Sequence, residues 1–552
     1  MFLGLHYAIW IVLVLYFAGM LLMGWWSKRG IASQEGYLLG NRRFGVLMMV
    51  MHAFGAGTHP GNAAGVMSET VVSGASGIWV SWMWMFATPF YWIIAPIVRR
   101  MRCLTMADFF QERFGKSASV LYIIVAAAGM IVFLASVLLA TTRTAQGMMG
   151  KATTTAAEPW FYGILFVSTA VFIIYSYWGG IIAAIRTDMI QGLMIIALSF
   201  IAIPAALGLK EVGGWAGTLA ALTAQDANLL NLFKLKGFSF WTVPLLCINA
   251  PLTALAFPHL MSVCAAGRTE WEGRVGFTYG NILKRVCTIG WCVLGLCWLA
   301  YLIKTGSAIH KDAAFGDSIR ELLSPVLQGV MLACVMAAAM PSGDAVQVTV
   351  AGLFSQNIYR VYLDPQADQQ QLVRVTRIIG VVIALLSLVV AILMRKSIVK
   401  TILDYFNILS CVGISTAIGI LWRRMNTTGM FCSTILAVVS FVITRYVGNC
   451  PRVITIGVPI LAGLIGGVVG SLLTKPPEAE TIEKFFKKIY VPIGREEKLA
   501  LALDEAVPQS RRWFTTGGLF IIKPSRQSWV GFVVTLGICV ACVGVMLALL
   551  KL

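Results

Sequence analysis

His52, His59 and Asn62 stand in GVLMMVMHAFGAGTHPGNAAGVMSETVV (residues 45–72), an apolar stretch interrupted halfway by Gly55, Gly57, Pro60 and Gly61. A second interruption, with Asn249, Pro251, Pro258 and His259, falls in WTVPLLCINAPLTALAFPHLMSV (241–263). Backbone freed from a helix at membrane depth is tolerated only where it is buried in protein or lines a wet cavity. Polar side chains at that depth are usually functional. Broken helices of this kind offer carbonyl oxygens to a cation and polar side chains to a solute. Further oxygens sit in other apolar runs: Ser342 and Asp344 in MLACVMAAAMPSGDAVQVTV, and Asp188 in YWGGIIAAIRTDMIQG. A hard cation takes carbonyl, hydroxyl and carboxylate oxygens, so these residue types suit sodium. Asp188 has two other readings, a pair with Arg186 or a cap, and Asp344 has one, solvation in an inside vestibule.

Enzymatic constellations are missing. The sequence has no Walker lysine, HExxH, GxSxG or paired-carboxylate motif, and Gly55-Ala56-Gly57 lies inside an apolar helix rather than at a strand-to-helix turn. The expectation is a protein that is no enzyme, has no organic cofactor, and whose work is driven by an ion gradient.

The elements that must position these residues are membrane helices. The chain is 58% hydrophobic and only 12% charged, with a mean hydropathy of +0.81, outside the range of soluble domains. About fourteen apolar spans recur, near 7–26, 45–72, 76–98, 118–146, 159–178, 181–207, 241–263, 285–306, 325–352, 378–396, 401–422, 427–447, 453–474 and 528–550. The net charge of +19 is not a nucleic-acid signal. Most of the 43 lysines and arginines fall in gaps that face inside if the first span runs outside to inside, the bias that sets membrane topology. Both termini are then outside, and the first span is a retained helix rather than a signal peptide, since Lys28 and Arg29 follow it. An inner (plasma) membrane of a bacterium is the expected location. The twelve cysteines lie mostly in apolar spans without zinc or redox spacing.

The two interrupted spans occupy matching places in two five-span units of opposite orientation, the mark of an inverted-repeat secondary transporter. The organisation expected is a first helix and inside loop (1–44), a first repeat (45–207), an outside loop (208–240) and a second repeat (241–424). Two peripheral helices (425–474), an inside amphipathic segment (475–527) and a last span (528–552) follow. The loop at 208–240 is expected to carry a short helix around Gly217–Leu232. RRMRCLTMADFFQERFGKS (99–117) reads as an inside helix capped by Thr105 with Asp108 three residues on.

Four stretches, GYLLGNRRFG (36–45), TMADFFQERFG (105–115), YSYWGGIIAAIRTDMIQG (175–192) and AAAMPSGDA…LFSQNIYR (337–360), together resemble the sodium/solute symporter family. The resemblance covers roughly residues 5–475. It implies an all-α fold with a LeuT-type 5+5 inverted repeat, one helix before the core and three after. It also implies a sodium site made from the carbonyls of Ala53, Ala56 and Ala338 with two adjacent hydroxyls. Those hydroxyls fall at Pro341 and Ser342, so one side-chain ligand is replaced by proline. Asp188 matches the family's acidic residue on the fifth core helix, associated with a second sodium site or the ion's inward exit.

His59 is a second departure from the family pattern. A histidine titrates near neutrality, so a proton could replace or accompany sodium through His59 and Asp344. For the solute, the breaks and their neighbours offer His59, Asn62, Glu69, Trp79, Trp82, Trp84, Asn249 and His259. Arg143 either pairs with an anionic solute or snorkels to the interface. The function expected is cation-coupled import of a small organic solute by alternating access. The alternatives are a proton-coupled carrier, a transporter-like sensor, or a membrane-complex subunit with degraded sodium coupling.

Overall fold

The computed structural model describes residues 4–27, 34–151, 158–234, 241–514 and 518–552. Lys28 and Arg29 lie outside them, as do the side chains of 175–184. Hydrocarbon offers the backbone no partner, so each apolar stretch closes its hydrogen bonds within itself as a helix. The first is α1 (Tyr7–Ser27). The interrupted stretch becomes α2 (Val46–Gly57) and α3 (Pro60–Ser73). After a run of short turns come α4 (Tyr91–Arg100), α5 (Met106–Phe114) and α6 (Lys116–Met148). Next are α7 (Glu158–Phe200) and, in the long loop, α8 (Gly214–Asp226). The second interrupted stretch forms α9 (Thr242–Ala256) and α10 (Leu260–Ala265). The remainder comprises α11 (Glu270–Thr305), α12 (Ala314–Leu322), α13 (Pro325–Phe354), α14 (Gln369–Leu393) and α15 (Ile398–Leu421). Outside this core lie α16 (Thr427–Val442), α17 (Arg452–Leu472), α18 (Ala479–Tyr490) and α19 (Arg526–Leu549).

Ten helices among the described residues are long and apolar enough to cross a bilayer. The fourteen expected spans are not matched one for one. The largest difference is α7, a single helix of 43 residues where spans at 159–178 and 181–207 were expected. No proline interrupts 175–184, and a Gly179–Gly180 pair weakens a helix by only about 1 kcal/mol per glycine without ending it.

The break between α2 and α3 has a local cause. Pro60 cannot donate to the preceding turn and pushes the residue before it into extended backbone. Thr58 and His59 are accordingly extended, with φ/ψ of −121°/103° and −114°/164°. In the second stretch the helix runs on through Pro251 and breaks at Phe257–His259, where Pro258 ends it. Helix α11 packs tightly on α2 through glycines. A Cβ on Gly280 would sit 2.7 Å from Phe54 N and Val50 O, so only glycine permits this approach.

The segment at 475–527 is more than peripheral. Ile482, Phe485, Phe486, Ile489 and Tyr490 recur at helical spacing and form the buried face of α18. A two-stranded antiparallel hairpin, β1 (Arg512–Phe514) with β2 (Ile521–Ile522), follows. The segment is tied to the ends of the core helices by charged groups. Arg100 donates to both Glu270 carboxylate oxygens at 2.8 Å, and the Ile493 N–H donates to Glu270 Oε1 at 3.0 Å. Arg102 donates to Lys488 O at 3.0 Å and to Glu496 at 3.1 Å. Burial pushes the neighbouring Arg113 guanidinium down to about 9. Arg113 reaches Gly419 O and Trp422 O at the end of α15, at 3.3 and 3.2 Å. Helix α5 begins with Thr105 and Asp108 capping each other, at 3.2 and 2.9 Å.

If α18 is an integral part of the fold, Phe486→Ala, which empties a fully buried site, lowers stability by about 3–5 kcal/mol. Leu501→Ala, at an exposed position, changes it by less than about 0.5 kcal/mol. Thermal unfolding in detergent measures both; equal small effects would make the segment a loose appendage.

Candidate ion and solute site

Breaking a helix at Thr58 leaves Gly55 O with the cap N–H of Thr58 at 3.3 Å and the carbonyls after it short of helical partners. Other helices supply them. The Ser342 hydroxyl, on α13, lies 3.2 Å from both Gly55 O and Ala56 O. The Lys284 ammonium, on α11, donates to Gly57 O at 2.5 Å. On the far side of the break, His59 N–H donates to Asn62 Oδ1 at 3.0 Å, and Asn62 N–H returns to His59 O at 2.8 Å. The break is thus satisfied by three side chains, two of them from distant helices.

Around the Ser342 end the chain gathers oxygens. A Cβ on Gly55 would lie 3.2 Å from Pro341 Cβ and 3.6 Å from Asp188 Cγ, so the proline, the carboxylate and the α2 terminus are neighbours. Asp188 is almost fully buried and meets His52 Nδ1 through Oδ2 at 2.6 Å. Its Oδ1 has no hydrogen-bond partner among the described residues. His52 Nε2 lies 3.4 Å from Ser262 Oγ on α10, whose hydroxyl donates to His259 O at 2.9 Å. Ala53 and Ala56 are buried on α2, and Ala338 is buried one turn before Ser342 on α13. The arrangement offers a small cation a hydroxyl, helix-end carbonyls and a carboxylate oxygen. Pro341 contributes ring carbons to that corner, where the family pattern has a hydroxyl.

Beside the ion corner, a cavity opens between the two broken helices. Asn62, Ser81, His259, Asn281, Lys284 and Arg285 supply its polar lining, and Trp84, Phe133, Phe257, Tyr405 and Phe406 its aromatic walls. None of its lining residues is Asp or Glu. Arg285 donates to Ser81 O at 2.8 Å. Lys284 has no carboxylate partner among the described residues and uses the Gly57 carbonyl.

The other residues singled out in the sequence are distributed as follows. His59 is buried with its ring edge-on to Phe133, centroids 4.9 Å apart, and neither ring nitrogen has a hydrogen-bond partner among the described residues. Trp82 is fully buried beside the cavity, its indole N–H on Arg285 O at 3.1 Å. Asn249 donates to Asn407 Oδ1 at 3.3 Å, away from the central cavity. Asp344 is buried towards α1, in electrostatic reach of Tyr16. Glu69 binds Lys311 at 3.1 Å, and Trp79 donates to Leu232 O at 2.7 Å. Arg143 is held within the protein by Gln146 and Arg395 O at 2.9 and 3.0 Å, and it stacks over Phe161.

Two groups escaped the sequence reading. Lys284 and Arg285 counted there as inside charges flanking a span at 285–306. Helix α11 starts at Glu270 instead, which carries both residues about four turns into the bundle. His52 was noted without a role; its place on one helical face with Gly55 and Ala56 is the signal that could have found it.

The model of the Sodium:solute symporter family matches residues 37–437. The chain belongs to that family. It is a polytopic membrane protein and a cation-coupled secondary transporter of a small solute. This symporter is 28% identical over 495 residues to the osmoregulated proline transporter OpuE of Bacillus subtilis (strain 168), covering 86% of this chain and 96% of the relative. It is 25% identical over 500 residues to the sodium/proline symporter of Salmonella typhimurium, covering 86% and 94%. Its fold is that of a Na+-coupled sialic acid symporter solved in a substrate-bound outward-open state. That likeness has a TM-score of 0.72 at 17% identity and covers 86% of this chain and 99% of the other. The LeuT-type core expected from the sequence is therefore present.

His52→Ala removes the side-chain partner of the Asp188 carboxylate, which is 1% exposed, and is expected to cost about 3–5 kcal/mol. Adding Asp188→Asn should recover a large part, giving a coupling of more than about 1 kcal/mol in a double-mutant cycle. Additive losses in thermal unfolding would mean that the pair does not act as a unit.

Proposed function

We propose that this symporter imports a small solute bearing a carboxylate, driven by sodium bound at the α2 break. The observation that carries the reading is Lys284. It places a cation in an aromatic-walled cavity whose lining has no acidic residue, and its present partner is a backbone carbonyl. A carboxylate arriving there forms a hydrogen-bonded ion pair with charge on both donor and acceptor, stronger than the ammonium–carbonyl contact it replaces. Sodium then sits among the Ala53, Ala56 and Ala338 carbonyls, the Ser342 hydroxyl and the free oxygen of Asp188. Asn62 and His259 orient the solute, and the aromatic walls take its carbon frame.

The two sites share three consecutive residues. Gly55 and Ala56 face Ser342, while Gly57 faces Lys284. Filling either site changes which groups the carbonyls must satisfy, and so changes the other site's affinity. Such linkage is reciprocal, and alternating access needs ion and solute to favour one conformation over the other by differential binding. The basic-residue bias supports both termini outside a bacterial plasma membrane.

A proton carried by His59 and Asp344 has less support. His59 packs against Phe133, and Asp344 faces α1 rather than the break. A sensor or complex subunit is the reading that binding without uptake would favour.

Proteoliposome uptake of labelled pyruvate, L-proline, D-glucose and choline, with inward sodium or potassium gradients, tests the proposal. The carboxylates are expected to accumulate only with sodium. Lys284→Gln should raise their KM by about tenfold or more, the worth of roughly 1.4 kcal/mol for a charged hydrogen bond. Ser342→Ala should raise the sodium half-saturation. Uptake driven by a pH gradient without sodium, or preference for glucose or choline, would overturn it.

A further inference from the structure

The hairpin of β1 and β2 presents two different faces. One is anchored in the protein. Arg512 is buried and bound to Asp504 at 2.7 Å, and Phe520 is buried against Tyr490, ring centroids 5.4 Å apart. The other carries Trp513, Phe514 and Leu519, which are 47%, 52% and 40% exposed. Exposed apolar side chains gathered in this way mark a contact with a partner or a membrane.

The position of Trp513 points to the membrane. Its ring lies 5.8 Å from that of Trp529 in the first turn of α19, and Trp529 lies 5.9 Å from Phe532, further along the same helix. The exposed side of β1 therefore continues the surface of a helix long and apolar enough to cross a bilayer. Tryptophan favours the boundary between membrane and water, where its ring is buried and its N–H stays wet.

Charge points the same way. The sequence holds no Asp or Glu from Ala506 to Leu552. Arg512 is spent on Asp504, but Arg511, Lys523 and Arg526 are exposed and join no ion pair among the described residues. Lys523 donates to Ser510 O at 3.0 Å. Arg423 adds a fourth cation beside the hairpin, over the Phe520 ring at 5.4 Å from its centroid. The basic-residue bias assigns this end of the bundle to the inside, and a basic cluster next to a membrane helix there attracts anionic lipid.

We propose that this face of the hairpin docks on anionic phospholipid of the inner leaflet. Trp513, Phe514 and Leu519 enter the boundary region, and Arg511, Lys523 and Arg526 meet the phosphates. Docking also holds the inner end of α15, because the hairpin is joined to it. The Arg423 N–H donates to Gly518 O at 2.8 Å, and the Phe520 N–H to Leu421 O at 2.9 Å. Tyr405 and Phe406 of the same helix wall the central cavity, so the docked hairpin is fixed to a helix that shapes the solute site.

Hydrogen exchange of the whole protein in nanodiscs, read by mass spectrometry, tests the proposal without knowledge of the solute. Amides of Arg511–Phe514, Leu519–Lys523 and Leu421–Arg424 should exchange about fivefold more slowly in phosphatidylglycerol than in phosphatidylcholine, the worth of one basic residue at an anionic surface. The difference should shrink as ionic strength rises. Arg511→Gln, Lys523→Gln and Arg526→Gln together should abolish it, whereas Arg511→Lys with Arg526→Lys should keep it. Exchange in α13 should be the same in all of these proteins, which shows that the variants fold. Equal exchange in the two lipids, or a difference that survives the triple variant, would overturn the proposal. Protection that appears in detergent and grows with protein concentration would make the face a contact between copies of the chain, and overturn it too.

Discussion

Three backbone carbonyls, those of Gly55, Ala56 and Gly57, end a helix in the middle of a membrane protein, and the rest of the site follows from satisfying them. An unpaired carbonyl in an apolar setting costs on the order of 2–7 kcal/mol without a compensating partner. The chain meets that demand with the Thr58 N–H on Gly55 O, Ser342 from one helix and Lys284 from another. On the proposed reading both side-chain partners are exchangeable, a cation taking the place of the hydroxyl proton and a carboxylate drawing the ammonium away. A break satisfied by its own backbone would be stable and inert. One satisfied by borrowed side chains can respond to ligands.

That dependence explains the packing around it. Gly280 lets α11 approach α2 closely enough for Lys284 to reach the carbonyl end. Pro341, where the family resemblance implies a hydroxyl, fills the space against Gly55 beside Asp188. The buried His52–Asp188 pair keeps a carboxylate at the ion corner without leaving it unpaired, at 2.6 Å. Far from the break, Arg100 and Glu270 with the chain at Ile493 tie two core helix ends to the carboxy-terminal segment.

Much of this was legible in the residues, because local chemistry alone produces it. Gly55, Gly57 and Pro60 announce a break wherever they stand in an apolar run, and Thr105 with Asp108 announces a helix start. Pro258 was legible as one of two prolines, but sequence could not say that α9 absorbs Pro251 and yields at Pro258. Lys284 misled for a physical reason. Hydropathy reads a lysine as the edge of a span, whereas the helix here begins at Glu270 and the lysine is matched to a carbonyl left open because another helix is broken. The His52–Asp188 contact joins residues 136 apart in the chain, and no spacing rule reaches that far. The hairpin of β1 and β2 is too short for alternation to reveal.

The central claim is that sodium and solute act on one three-residue stretch and are energetically coupled through it. The most direct measurement is the sodium dissociation constant of the purified protein, by calorimetry, with and without saturating pyruvate or L-proline. The account predicts that the carboxylate tightens sodium binding by about fivefold or more, the lower range for coupled sites. It also predicts that Lys284→Gln abolishes the tightening while sodium alone still binds. A sodium affinity unmoved by a carboxylate that demonstrably binds would contradict it.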